Sequence, residues 1–565
     1  MIFFKIISFL SLFLLILYSN TNAYSQSNYT YEIRLKEIEQ VLKNSIPVIT
    51  SKEVHDKKLL QVQELFIQDS RIQKYYTDKD GNKILNEIFG IFSVRKSDIF
   101  KEIQECANGE CYRIEMYNYA YNETIIGFVN ILKQQVVTIN KLKNTQPDLP
   151  PHLVSLAIDI AYTDAEVKQE LILNNINTKP LMAGTKTALN KSHCQRSQHL
   201  CVAPTFITGS NALWVIVDLT YLKVVGLKWT NTGENEYNSE RSVQNHKIMS
   251  CYCDIASKMQ HLGWTFDYSM TRSDGLKISN IFYNSTKIAK SIKLVDWHVN
   301  YSNVDGFGYA DAIGCPEYST AAVHAVEMPR LEWILDKTDT IGFKLVQEYY
   351  SEGWPAPCNY NYYQSFDFYK DGSFRPIAGS VGRGCGINGV YKPITRIALA
   401  EEFTKAFEYT NENTWKKWQS EGWIEQNDTI NINDQNQWLR FKSPDVTYAM
   451  IPNMGQFGNM ERGDNAFVYL TKFKDTAEEG ESDLPAMGTC CNLDYRQGPE
   501  NFIEPIPEEV DNNEMVIWYV PKLTNDNTPG KEYCWAEMKV INGVLKPVIF
   551  PCLSGPLFKI VDNAK

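Results

Sequence analysis

Three kinds of residue in this 565-residue chain could carry chemistry, and each is placed unevenly. The first is histidine: there are eight, from His55 to His324, and none beyond. Imidazole is the commonest ligand for copper and zinc and the usual proton carrier near neutral pH, so the C-terminal part must work without it. The second is cysteine, of which there are 13. Cys106/Cys111 and Cys194/Cys201 are spaced as local disulfide loops, and the odd total leaves at least one unpaired within the chain. Cys251-Tyr252-Cys253 and Cys490-Cys491 lack C-x-x-C spacing, which makes disulfides the default over zinc. The third is a tyrosine-rich run, Asn359-Tyr360-Asn361-Tyr362-Tyr363, leading into Phe366-Asp367-Phe368-Tyr369 and the hairpin signal Asp371-Gly372. Read alone, it is an aromatic strand and a turn that serve core packing. Nucleotide chemistry has no support: no G-x-G-x-x-G or G-x-x-x-x-G-K-[ST] is present, and Gly382-Arg383-Gly384-Cys385-Gly386 reads as a turn. No G-x-S-x-G elbow occurs either. His298 and His324 lie near the acids Asp305 and Asp311 without ligand spacing, and read as half-buried or surface histidines.

The elements that must position these residues belong to a large globular chain. It is 44% apolar and 22% charged, enough for several domains with sizeable cores. A net charge of −11 argues against a nucleic-acid partner. Aromatic residues at 12% favour a β-rich body. Residues 1–23 carry Lys5, an apolar run from Ile6 to Leu17 and small residues at Thr21 and Ala23, the pattern of a secretory signal peptide. No later stretch has spanning length, so a secreted protein with no membrane span after cleavage is expected. The sequons at Asn28, Asn122, Asn190, Asn284, Asn300 and Asn427 are then candidate glycosylation sites.

Periodicity divides the mature chain into three parts. Residues 24–146 read as a small α+β unit, with a helix over Tyr31–Lys43 and strands at Cys111–Tyr119, Thr124–Lys133 and Gln135–Leu142. Residues 147–245 repeat that order, with a helix over His152–Leu173 and strands at Val202–Ile207, Leu213–Asp218 and Lys223–Trp229. Residues 246–565 are a succession of short strands with few helices, as in a β-sandwich. The expected fold class is therefore α+β N-terminal modules followed by a large antiparallel β-sandwich.

At Tyr360 the chain resembles the copper amine oxidases, whose redox cofactor, topaquinone, is a tyrosine oxidised in place within an Asn-Tyr-Asp/Glu motif. Asn359-Tyr360-Asn361 falls on that motif, with an amide at Asn361 where the family prefers an acid. The resemblance continues in order along nearly the whole mature chain. Gly263-Trp264-Thr265-Phe266 looks like an early strand of that catalytic domain, and Val299-Asn300-Tyr301 is similar to its V-P-Y segment. Asp511–Tyr519 and Leu545–Phe550 are similar to its C-terminal strands. The resemblance implies a homodimer, a quinone-precursor position at Tyr360, a quinone hydrogen-bond position at Tyr301, and a general base at Asp311 or alternatively Asp305.

It also implies what is missing. The family holds Cu(II) with an H-x-H pair and one further histidine. Here the pair falls on Gly389 and Tyr391, and the strand after Trp518 runs on as Tyr519-Val520-Pro521-Lys522. The acidic pair of a secondary calcium site is replaced by Ile397-Ala398-Leu399-Ala400. No metal ligand set is expected, and no cofactor; copper and topaquinone enter only if the family chemistry is retained. Two readings follow. In one, the chain is a secreted homologue without quinone catalysis that binds a small amine or an extracellular protein, or acts as a scaffold. In the other it is an active primary-amine oxidase with a non-standard copper site built from Tyr391, Cys385 or a carboxylate.

Overall fold

The computed structural model describes residues 30–51, 56–181, 186–233, 253, 255–302, 305–315, 323–325, 327–351, 353–426, 430–452, 464–476, 479–484 and 486–563. The signal-peptide assignment at 1–23 and the sequons at Asn28 and Asn427 lie outside these. No helix among the described residues is long and apolar enough to cross a membrane.

The first small sheet has five strands in the order Val48–Ile49, Asn86–Ser93, Cys111–Asn118, Glu123–Asn130 and Gln135–Lys143, antiparallel after a parallel first pair. The helix Tyr31–Lys43 forms as the sequence predicts, with Thr30 accepting the Ile33 amide at its start. A further helix, Lys57–Gln68, presents Val62 and Phe66 to the sheet from a stretch whose polarity hid it. In the second unit the single predicted helix is two, Pro151–Thr163 and Ala165–Leu173. Asp164 ends the first and caps the second by accepting the amides of Glu166 and Val167. The predicted strand Val202–Ile207 is likewise split into Cys201–Val202 and Thr205–Thr208, on either side of Pro204, which has no amide to donate.

Two large sheets follow, of eleven and twelve strands, packed around one apolar core. The first runs through Trp264–Met270, Leu276–Tyr283, Thr286–Ser302, Val390–Leu399, Met515–Val520 and Phe467–Lys472. The second includes Asp339–Tyr350, Asn361–Tyr369, Phe374–Ser380, Leu557–Asn563 and Val446–Ile451. One short strand, Lys186–Ala188, lies in the 147–245 interval by sequence but pairs with Phe307–Asp311 at the rim of the first large sheet. Buried ion pairs tie the N-terminal sheet to the large sheets: Arg113 and Arg272 share Glu115, and Arg95 meets Asp483.

Six disulfides close, the two predicted loops among them; the others are Cys253–Cys315, Cys358–Cys385, Cys490–Cys491 and Cys534–Cys552. Cys251 lies outside the described residues.

Candidate functional site

The long strand Thr286–Ser302 is paired on both sides, and its register decides which side chains meet. Trp297 lies opposite Asp311, and Val299 lies opposite both Tyr309 and Tyr391. Strand side chains alternate between faces, so Trp297, Tyr301, Tyr309, Asp311 and Tyr391 all project into the core between the sheets. From the facing sheet, Tyr360 and Tyr362, two residues apart, enter the same space. The result is a chamber built of tyrosines.

Tyr360 is fully buried. Its hydroxyl is 2.9 Å from that of Tyr301, which also accepts the Cys385 amide at 2.6 Å and lies 3.3 Å from the Tyr309 hydroxyl. The Gly384 amide donates to the Tyr391 hydroxyl at 2.7 Å. The Cys358–Cys385 bridge fastens this turn to the residues just before Tyr360. Gly384 is held against the Tyr360 ring beside Cε1, a carbon ortho to the hydroxyl; a β-carbon there would overlap both that atom and the Tyr301 oxygen. Burial, together with the Tyr301 and Tyr391 phenols, pushes the Tyr360 hydroxyl well above the usual phenol range, so it stays neutral.

On the other side of the chamber Tyr362 stacks on Trp297 with ring centres 3.8 Å apart and donates to Asp311 Oδ2 at 2.7 Å. Asp311 Oδ1 has no hydrogen-bond partner, and burial pushes the carboxyl up to about 8 against the opposing effect of the Tyr362 bond. Asp311 is therefore a neutral acid at pH 7.

The sequence-predicted site residues separate cleanly. Tyr360, Tyr301 and Asp311 share the chamber, and Gly389 and Tyr391 border it. Asp305 does not: it is exposed and pairs with Lys228 at 3.0 Å. His298 is fully buried rather than half-buried, but on the opposite face of its strand. There it lies between Ala310 and Lys392, with Nδ1 3.0 Å from Gln497 Oε1. His324 sits on another strand, beside Tyr350. No described histidine bonds to or stacks on Tyr360, Tyr301 or Tyr391. The positions of the secondary calcium pair, Ile397–Ala400, are buried and apolar.

Two of the sequon asparagines do not suit glycans in this fold. Asn122 is buried with its amide donating to the Ser197 carbonyl, and Asn300 is buried with its amide bonded to the Cys491 carbonyl. A sugar on either nitrogen would have to displace the chain packed around it. Asn190 is half-buried and Asn284 is exposed in a turn.

Sequence reasoning missed Tyr309, Gly384 and the Cys358–Cys385 bridge. The one available signal was Cys358, two residues before Tyr360.

No family model matches the sequence, and no curated protein matches it. Among solved structures, the chain is similar to a copper-containing benzylamine oxidase from Hansenula polymorpha, at 12% identity and TM-score 0.48, over 89% of this chain and 96% of that one. It is similar to the lysyl oxidase PPLO of Pichia pastoris at 12% identity and TM-score 0.44, over 90% and 89% of the two chains. An amine oxidase from Aspergillus nidulans gives 12% identity and TM-score 0.48, over 90% and 88%.

Proposed function

We propose that this protein is a secreted, homodimeric relative of the copper amine oxidases that has lost copper and quinone chemistry and works as an extracellular binding or scaffold protein. The observation that carries the reading is the filling of the Tyr360 chamber. Cu(II) favours imidazole nitrogen, and the groups around Tyr360 are neutral phenols, a glycine backbone and a disulfide. These do not fit a copper ion. Tyr391, at a ligand position, has its hydroxyl committed to the Gly384 amide, and Cys385 is bonded to Cys358. The collinear resemblance along the chain supports common descent, and the six disulfides suit an oxidising compartment.

Asp311 favours the second reading, because an acid survives in the chamber at the position expected of a general base. A base must face a substrate, however, and Asp311 is sealed against Trp297 and Tyr362. The test is amine-dependent hydrogen peroxide release by the mature protein expressed with added copper, alongside metal analysis. The proposal expects no peroxide with benzylamine or a diamine and less than one copper per chain. Turnover with stoichiometric copper would establish the oxidase.

A further inference from the structure

Six of the eight histidines lie among the described residues, and two of those six meet. His152 is bonded to Glu87, His298 to Gln497, and His261 packs edge-on against Trp333 and Phe343. His193 and His199 instead stack face to face, ring centres 4.8 Å apart, with Tyr221 edge-on to both.

The chain builds this meeting. The Cys194–Cys201 disulfide closes the loop that joins the two rings, and Gln146 pins that loop by donating to the Ser197 and His199 carbonyls at 3.0 and 2.6 Å. Asp218, fully buried at the end of its strand, lies beneath. Its Oδ1 accepts the Thr220 and Tyr221 amides, and its Oδ2 lies 2.8 Å from His199 Nδ1. A carboxylate only accepts, so the hydrogen is on Nδ1 and the lone pair on Nε2. A carboxylate behind an imidazole is the arrangement that orients metal-ligating histidines, fixing the tautomer and raising the basicity of the outer nitrogen. His199 keeps 17% of its side-chain exposure and His193 is exposed, so the pair is open to solvent. Arg196, the one cation on the loop, is drawn away to Asp494 at 2.7 Å, and Lys223 lies over Tyr221, 5.4 Å from its ring centre.

We propose that His199 Nε2 and the His193 imidazole form a surface site for a divalent metal of the zinc class. Parallel rings aim their lone pairs side by side, so one ring must turn for both to reach one ion. His193, exposed and carrying only ring contacts among the described residues, is the ring that turns, while His199 stays on Asp218. Water fills the remaining positions, as at an open zinc site. Imidazole selects zinc, copper or nickel over magnesium and calcium, which take oxygen ligands. The site belongs to the 147–245 unit and does not rest on the reading of Tyr360.

The test is calorimetric titration of the metal-free full mature chain with zinc chloride, repeated with magnesium chloride. Zinc binds and magnesium does not. His193→Ala and His199→Ala each weaken zinc binding at least about tenfold. Asp218→Asn does the same with both imidazoles in place. Its oxygen must stay on the two amides, so its NH2 faces His199 Nδ1 and moves the hydrogen onto Nε2. No zinc binding in wild type, magnesium binding as tight as zinc, or unchanged zinc affinity in His193→Ala would each overturn the site. Unchanged affinity in a folded Asp218→Asn would overturn the positioning role of Asp218. His193 is exposed, so its variant folds and decides the question even if Asp218→Asn does not. Any copper taken up here is lost in His193→Ala, which separates it from copper beside Tyr360.

Discussion

Replacing Asp311 with asparagine should stabilise the protein, and by an amount that grows with pH. In the folded chain Asp311 keeps its proton up to about pH 8, because ionising it would place a charge among Trp297, Tyr362 and Tyr309 with one oxygen unbonded. In the unfolded chain the same carboxyl titrates near its ordinary 3.8. Below pH 3.8 both states are protonated, and the stability contributed by the neutral group is fully present. As pH rises toward 8 the unfolded state alone gains from losing its proton, and that stability drains away at about 1.4 kcal/mol per pH unit. The accumulated loss is on the order of 6 kcal/mol once the pH passes 8. Asparagine has nearly the same shape, accepts the Tyr362 hydroxyl through its carbonyl and does not ionise. Urea unfolding of wild type and Asp311→Asn, followed by tryptophan fluorescence at half-unit steps from pH 4 to 9, should show curves that nearly meet at the acid end. They should separate steadily and run parallel above pH 8. A gap independent of pH, or a variant that loses stability relative to wild type as pH rises, would refute the buried neutral acid.

Two further substitutions probe the packing of the chamber. Gly384→Ala must push aside the Tyr360 ring and the Tyr301 hydroxyl, so it should cost about 3 kcal/mol in urea unfolding, the upper end for overpacked cores. Tyr360→Phe removes one bond from a Tyr301 hydroxyl that keeps the Cys385 amide and Tyr309, so it should cost only about 1 kcal/mol and leave the visible spectrum unchanged.

Much of the architecture could be read from local pattern. The helix Tyr31–Lys43 forms with the expected ends, and the strand expected at Cys111–Tyr119 forms as Cys111–Asn118, because their apolar spacing is unambiguous. The errors have local causes. Asp164 is a helix cap inside a run that otherwise continues as helix, and Pro204 interrupts a run that otherwise continues as strand. The site was harder to read. Tyr301, Asp311 and Tyr360 lie on three strands far apart in sequence, and periodicity says nothing about which strands will face each other. Only the resemblance brought them together. Tyr309 and Gly384 stayed invisible because their roles come from what packs against them. A glycine under an aromatic ring looks ordinary in one dimension. Histidine was the opposite case: its absence beyond His324 is visible in the sequence, and the structure adds that His298, the nearest in sequence to Tyr301, points away from the chamber.

The chemical state of Tyr360 tests the central claim most directly. The mature protein, expressed with copper and held in air, can be treated with phenylhydrazine, digested, and its Tyr360 peptide weighed by mass spectrometry. An unmodified tyrosine with no hydrazone and no visible absorption band is the predicted result. A Tyr360 peptide that has gained oxygen and carries the phenylhydrazine adduct would contradict it, and would show that the chamber opens to copper and oxygen after all.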